Sequence, residues 1–231
     1  MPHFYPDDHF ALPAQEYLEI VLEQSKKQLI KMRVQLREKP EELEVKERNF
    51  LRRECARLNS LSKLQARLEK YRLYHQSSRL SDKVKEARKF TNSEKLGKHL
   101  RASGHFKPGV NWQAHHIICS KHLSHASARL KLFAYLGIND PSNGCWLPIK
   151  QADAIDSIYP DAAGHVYVHT EAYSTWVSNK VKAIQGAGEM HNVLRNIRLK
   201  LLRARKEQEV FSLLSKDGQL DLKGVIKSKS V

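Results

Sequence analysis

The chain has 231 residues, of which 41% are hydrophobic and 28% charged, as is ordinary for a soluble protein of one or two domains with a buried core. Its 40 Lys and Arg against 25 Asp and Glu give a formal net charge of +15. That charge favours a polyanionic partner, with nucleic acid ahead of an anionic membrane, although a basic surface without a partner is the alternative. No apolar run has the length of a membrane span, so we expect no membrane partner.

The first residues carry neither the basic nor the apolar region of a cleaved secretory signal, which predicts synthesis in the cytoplasm. Export, if it occurs, would then need a route that reads no such signal, such as a specialised secretion system that delivers the protein into a target cell. None of the three cysteines forms a C-x-x-C pair, which argues against a cysteine-rich zinc site.

The first third of the chain has a helical pattern. Apolar residues recur at helical spacing over 14–39 and again over 41–75, with Pro40 suited to the first turn of the second helix. The two helices predict an antiparallel hairpin, with a coiled-coil-like seam at Leu61, Leu64, Leu68 and Tyr71. Residues 51–100 carry 14 basic and 5 acidic side chains. The arm is either a packing spacer or a surface that binds DNA or a partner.

Shorter elements follow a boundary that we place near residues 80–92. The sequence predicts helices over 80–90, 95–102, 124–136, within 165–183 and over 189–209, and strands over 114–118 and 145–148. Gly104 is a predicted left-handed helix cap, and Asp140 to Gly144 a turn. Residues 1–13 read as an irregular leader and 215–231 as a mobile tail.

The adjacent histidines His115 and His116 open an apolar run and carry the main functional prediction. In an extended segment, neighbouring side chains point to opposite faces, so one imidazole can hold a metal while the other faces substrate. His165 and His169 are four residues apart, a spacing that a helix would stack on one face. We therefore predict a metal site formed by His115, His165 and His169.

Three neutral imidazoles suit zinc, nickel or another transition metal better than magnesium, which prefers oxygen ligands. Three protein ligands also leave a position open, as catalytic sites do. The bound ion would be a Lewis acid at a scissile phosphate.

His116 is the candidate general base for a water that attacks phosphorus, because imidazole titrates near neutral pH. Its orienting partner is predicted to be the side-chain carbonyl of Asn143, which could equally serve the turn before Gly144. His122 and His125 compete as ligands but precede the turn and would need the chain to fold back. The remaining histidines of this region, His99, His105 and His191, are interpreted as structural or surface residues.

These residues resemble a known family. Seven short motifs are similar to those of the AHH nuclease family, a branch of the HNH (His-Me finger) superfamily. They are Leu96-Gly97-Lys98-His99-Leu100, Pro108-Gly109, Ala114-His115-His116-Ile117-Ile118, Leu136-Gly137-Ile138-Asn139, Asn143-Gly144, Leu147-Pro148 and His165-x-x-x-His169 with Tyr173. The resemblance spans roughly residues 95–185. Cys119 stands where the family has proline, and Val166-Tyr167-Val168 replaces its small linker.

The resemblance implies metal-dependent hydrolysis of nucleic acid with one divalent ion (Zn, Ni, Mg or Mn). Its residues would be His116 and Asn143 as catalytic groups and His115, His165 and His169 as metal ligands. Members are frequently bacterial toxin domains that are neutralised by an immunity protein and carried by a secretion system. We expect a non-specific DNase. An RNase with the same site and a nucleic-acid-binding protein without catalysis are the alternatives.

The expected fold class is mainly α with a small α+β core. A helical N-terminal arm (1–90) precedes a ββα-metal, HNH-like nuclease domain with a C-terminal helix (91–210) and a basic tail (211–231).

Overall fold

The computed structural model describes residues 14–90, 93–119 and 126–206. In these ranges the chain is mainly helical with a small antiparallel sheet, as predicted. The elements are α1 (Ala14–Gln35), α2 (Pro40–Ser77), α3 (Leu80–Phe90), α4 (Ser93–Ala102), β1 (Trp112–His116), α5 (Ala126–Tyr135), β2 (Gly144–Pro148), α6 (Glu171–Val181) and α7 (Ala187–Leu202). Within the described ranges, three 3-10 turns cover Pro141–Asn143, Gln151–Ala154 and His165–Tyr167.

The helices α1 and α2 form the predicted antiparallel hairpin, with Pro40 in the first turn of α2. Val21 packs with Leu61 in one apolar cluster. The hydroxyl of Ser25 donates to Glu54 at 2.7 Å. The later residue of α1 thus pairs with the earlier residue of α2, as antiparallel packing requires.

The predicted seam along α2 is divided between two partners. Leu61 packs on α1, whereas Leu68 and Tyr71 pack with Ala102 of α4. The second half of α2 therefore lies against the remainder of the molecule, and the arm is joined to it by an apolar contact.

The two strands form a hairpin-like finger, with His115 opposite Cys145 and His116 opposite Gly144. The first strand begins and ends two residues earlier than predicted. Ile117 and Ile118 are fully buried in the main core. The two isoleucines are apolar because they are buried in the core, and not because they extend the strand.

The main core is formed by α5, α6 and α7 around the base of the finger. Its fully buried side chains include Leu132 of α5, Val177 of α6 and Leu194 of α7. Gly144 is needed at the start of β2 because a Cβ there would lie 2.7 Å from the Leu96 side chain. The left-handed cap predicted at Gly104 is confirmed, with φ of 86°.

Several predictions fall on residues outside the described ranges: the leader 1–13, the tail 215–231, and the competing histidines His122 and His125. Among the residues that the structure does describe, no helix combines the length and the apolarity required to cross a membrane. The division into arm, nuclease domain and tail stays a prediction.

Candidate metal centre and general base

Three imidazoles lie together beside the first strand. His115 comes from β1, His165 from the third 3-10 turn, and His169 from the two residues that precede α6. One ring nitrogen from each lies within 4.8 Å of those of the other two. The His165 and His169 ring centroids are 4.9 Å apart, and His115 lies 5.3 Å from each. His115 is buried and His169 exposed, so the cluster is accessible to solvent from one side.

Two hydrogen bonds hold the chain just before His165 against Gln151, which follows β2. The Gln151 side chain donates to the Ala162 carbonyl at 2.6 Å and accepts from the Gly164 N–H at 3.0 Å. Gly164 is the residue before the 3-10 turn that carries His165. After His169, the Thr170 hydroxyl oxygen caps α6 by accepting from the Tyr173 N–H at 3.1 Å.

The helix predicted to stack His165 and His169 is not formed. The 3-10 turn begins at His165 and ends at Tyr167, and α6 begins at Glu171, so His169 lies in the break between the two helical segments. Val168, a β-branched residue that disfavours helix, lies in the same break and is buried in the main core. The His165 and His169 rings therefore meet across this break and not along one helix.

The donor set suits a transition metal. A tetrahedral ion with bonds of about 2.0–2.1 Å to imidazole nitrogen separates its ligands by about 3.4 Å. The observed nitrogens all lie within 4.8 Å of one another, which is at most about 1.4 Å beyond that separation. Burial, together with the neighbouring His169, lowers the pKa of His165 to about 4. His165 is therefore neutral at neutral pH, the form in which imidazole binds a metal.

His116 lies on the opposite side of β1 from His115. Its Nε2–H donates to the Asn139 side-chain carbonyl at 3.0 Å. Burial lowers the pKa of His116, and the hydrogen bond with Asn139 partly opposes that shift. The ring is therefore neutral at physiological pH, with Nδ1 as the nitrogen whose lone pair can take a proton.

The sequence suggested that Asn143 orients His116, but the structure shows that it does not. Its Oδ1 accepts from the Ile118 N–H at 2.9 Å, and its Nδ2 donates to the carbonyls of Ile118 and Ile138 at 3.2 and 2.9 Å. All three partners are backbone groups at the two ends of the segment that joins β1 to β2. Asn143 closes that segment, and its amide is committed there because buried backbone groups need partners.

Residues 137–144, which we call the finger loop, are also held from α7. The half-buried Arg198 guanidinium donates to the carbonyls of Gly144 and Pro141 at 2.8 and 2.6 Å. His191 shares a 2.7 Å hydrogen bond with the Ser142 hydroxyl. The loop is therefore rigidly supported beside His116.

The site thus combines a small antiparallel finger, a histidine cluster and the helix α6 that follows the cluster. Residues 96–205 match the model of the AHH family, described as a nuclease family of the HNH/ENDO VII superfamily with conserved AHH. The matched segment is a little under half of the chain, and the match confirms the resemblance. The superfamily uses a divalent metal, and its substrate is nucleic acid. Comparisons with curated proteins and with solved structures give no match.

Sequence reasoning missed Asn139 as the partner of His116. The residue lies in the Leu136-Gly137-Ile138-Asn139 run that carries part of the family resemblance, but nothing in its type or spacing indicated which ring it faces. His99, interpreted as structural or surface, is buried and contacts Asn139. Tyr71, interpreted as a seam residue, also reaches Asn139.

Proposed function

We propose that this protein is a metal-dependent endonuclease that hydrolyses phosphodiester bonds, with DNA as the substrate and little sequence preference. The observation that carries the proposal is the arrangement around β1. A cluster of three histidines lies on one side of the strand, and on the other side lies one neutral histidine whose proton is held by an amide.

His116 would act as the general base. With Nε2–H donating to Asn139, the Nδ1 lone pair accepts a proton from the attacking water as its oxygen bonds to phosphorus. One phosphorus–oxygen ester bond breaks, and the leaving oxygen takes a proton from solvent. Asn143 would contribute by keeping β1 and β2 closed around the site rather than by touching the substrate.

His115, His165 and His169 would hold the ion. When bound, such an ion supplies Lewis-acid stabilisation of the charge that develops on the phosphate and on the leaving oxygen. The imidazole donors favour zinc or nickel over magnesium in this site.

The charge of the chain supports a nucleic-acid backbone as the ligand. The basic stretch 51–100 lies on α2, α3 and α4, where Lys63, Arg67 and Lys70 are exposed on α2. Contacts to phosphates carry no base information, which fits cleavage without sequence preference. We expect binding to weaken steeply as salt is added.

The biological role that we propose is that of an antibacterial toxin or effector, neutralised by an immunity protein and delivered by a secretion-system carrier. This part of the proposal is supported by the family resemblance. It predicts that expression in a bacterial cytoplasm arrests growth and degrades the nucleoid, and that His116→Ala removes both effects.

Plasmid cleavage by the purified full chain tests the enzymatic proposal. Chelator should stop cleavage, and added Zn, Ni, Mn or Mg should restore it to different extents. The variant His116→Ala should lose about 100- to 10,000-fold in rate, the usual contribution of a general base. It should keep its affinity for the metal and for DNA, because His116 lies on the other side of the strand from the cluster.

Three results would change the proposal. Cleavage of structured RNA in preference to plasmid would make the protein an RNase that uses the same residues. DNA binding without cleavage under any metal would indicate a nucleic-acid-binding protein without catalysis. Wild-type cleavage by His116→Ala would assign the base to another residue.

A further inference from the structure

Asn139, the hydrogen-bond partner of the candidate base His116, is itself hydrogen-bonded by a residue outside the segment matched to the nuclease family. The N–H of Asn139 donates to the hydroxyl oxygen of Tyr71 at 2.9 Å. Tyr71 lies near the end of α2, in the arm, and is 7% exposed. Residues 96–205 match the family, so Tyr71 is supplied by a different part of the chain.

Asn139 is anchored through both of its backbone polar groups. While Tyr71 accepts from its N–H, the His99 Nδ1 hydrogen-bonds its carbonyl oxygen at 2.7 Å. Asn139 has no exposed surface. The backbone is thus fixed on both sides, and the side-chain Oδ1 lies 3.0 Å from His116 Nε2.

The contact between α2 and the finger loop is close at neighbouring positions. A Cβ on Gly137 would lie 2.2 Å from the Tyr71 hydroxyl oxygen, so a side chain there would displace the tyrosine. Arg72, the next residue of α2, pairs its Nε with the buried Asp140 carboxylate at 3.2 Å. The helix is therefore fitted to the loop on both sides of Asn139.

The Tyr71 ring is also held in place independently of its hydroxyl. Its centroid lies 4.4 Å from that of His75 and 4.6 Å from that of His99. The Lys95 ammonium lies 4.7 Å from the ring centroid. Removal of the oxygen alone should leave this packing intact, so a phenylalanine isolates the contribution of the hydrogen bond.

We propose that Tyr71 is a positioning residue for the nuclease reaction, whose hydroxyl fixes Asn139 so that Asn139 holds the candidate base His116 in its Nε2–H tautomer. The inference rests on the function proposed above. It makes the arm part of the catalytic machinery, because the base is not fully oriented without α2.

The test compares Tyr71→Phe with Tyr74→Phe in the full chain. Tyr74 lies one turn from Tyr71 on the same helix and is 49% exposed, so it is a matched control. Tyr71→Phe should lower kcat for plasmid nicking by up to about 100-fold, the scale of a 1 Å misplacement caused by a change far from the reacting atoms. KM and metal affinity should stay at the wild-type values, as should all parameters of Tyr74→Phe.

A second pair of variants acts directly on the side chain that Tyr71 positions. Asn139→Ala keeps both backbone hydrogen bonds but removes the acceptor for His116, and should lose kcat to a similar or greater extent. Asn139→Asp keeps an acceptor oxygen at the same place and should lose less kcat than Asn139→Ala. Equal losses in these two variants would show that Asn139 has only a structural role, and would overturn the proposal.

The ring 15N chemical shifts of His116 provide a readout that does not depend on cleavage. We expect one Nε2–H tautomer in the wild type and in Tyr74→Phe, and a mixture in Tyr71→Phe and Asn139→Ala. A wild-type spectrum for Tyr71→Phe, or a kcat within twofold of that of Tyr74→Phe, would overturn the role of Tyr71. The proposed function fails separately, when the wild type does not cleave or when His116→Ala cleaves as well as the wild type.

Discussion

The two sides of β1 carry adjacent histidines that depend on very different parts of the chain. On one side, His115 meets His165 and His169, and all three lie inside the matched segment 96–205. On the other side, His116 meets Asn139, whose backbone is held by Tyr71 from the arm.

This contrast shows that the reactive groups come from one part of the chain, whereas the orientation of one of them depends on another part. Strand alternation places two imidazoles on opposite sides without help from other elements. The orientation of the second ring requires a buried amide, and the amide needs partners for its backbone groups, which distant helices provide. A motif can therefore be complete while the site that it forms still depends on a region outside it.

The variant His115→Ala should produce the largest difference between the two sides of β1, measured as metal affinity and cleavage. It should lose both metal affinity and cleavage, whereas His116→Ala should lose cleavage alone. The loss of affinity should exceed the about 10- to 100-fold typical of removing a group that only orients a ligand. Calorimetric titration of both variants with zinc, beside plasmid nicking, checks this. Unchanged zinc affinity in His115→Ala would remove that residue from the metal site.

Asn143→Ala tests the closure of the finger that both sides share. The change leaves the buried N–H and carbonyl of Ile118 and the Ile138 carbonyl without their present partner. A buried polar group left without a partner costs about 1–3 kcal/mol, so we expect the free energy of unfolding to fall by about 3 kcal/mol. Urea unfolding beside the exposed control Asn179→Ala measures the difference. Equal stability of the two variants would contradict the closing role.

The smallest expected effect is pH-dependent and concerns the contact of the arm with the domain. Glu86 accepts from Lys95 at 2.6 Å and contacts His75 of α2. Burial raises the pKa of Glu86, but the hydrogen bonds from His75 and Lys95 outweigh it and leave the pKa below 4.5. Glu86→Gln should therefore cost about 2 kcal/mol at pH 7, as for a hydrogen bond to a charged group.

The sign of this dependence follows from the lowered pKa. The unfolded state binds the proton more readily, so the contribution of Glu86 is fully present above about pH 4.5 and is lost as the pH falls through the lower folded pKa. Denaturant unfolding at pH 7, 4 and 3 should show the difference between wild type and Glu86→Gln shrinking toward low pH. Asp82→Asn, on the exposed side of the same helix, should show no such trend. A difference that persists at pH 3 would contradict this account.

Much of the fold could be predicted because it is encoded locally. The apolar period and Pro40 specified the arm, Gly104 specified a helix end, and the order of elements from 80 to 202 followed from short patterns. The limits of β1 were less well predicted. Ile117 and Ile118 have the composition of a strand, but they are buried in the core beyond the end of the sheet.

The sequence by itself determined which groups are available: His115 and His116 on opposite sides of a strand, His165 and His169 four residues apart, and a chain basic enough for a polyanion. Only the tertiary structure decided which asparagine side chain contacts His116 and which one contacts the backbone of Ile118. Asn143 and Asn139 are four residues apart with the same side chain, yet one closes the loop and the other meets His116. The physical reason is that a hydrogen bond depends on distance and direction between groups far apart in sequence, which neither residue type nor spacing encodes.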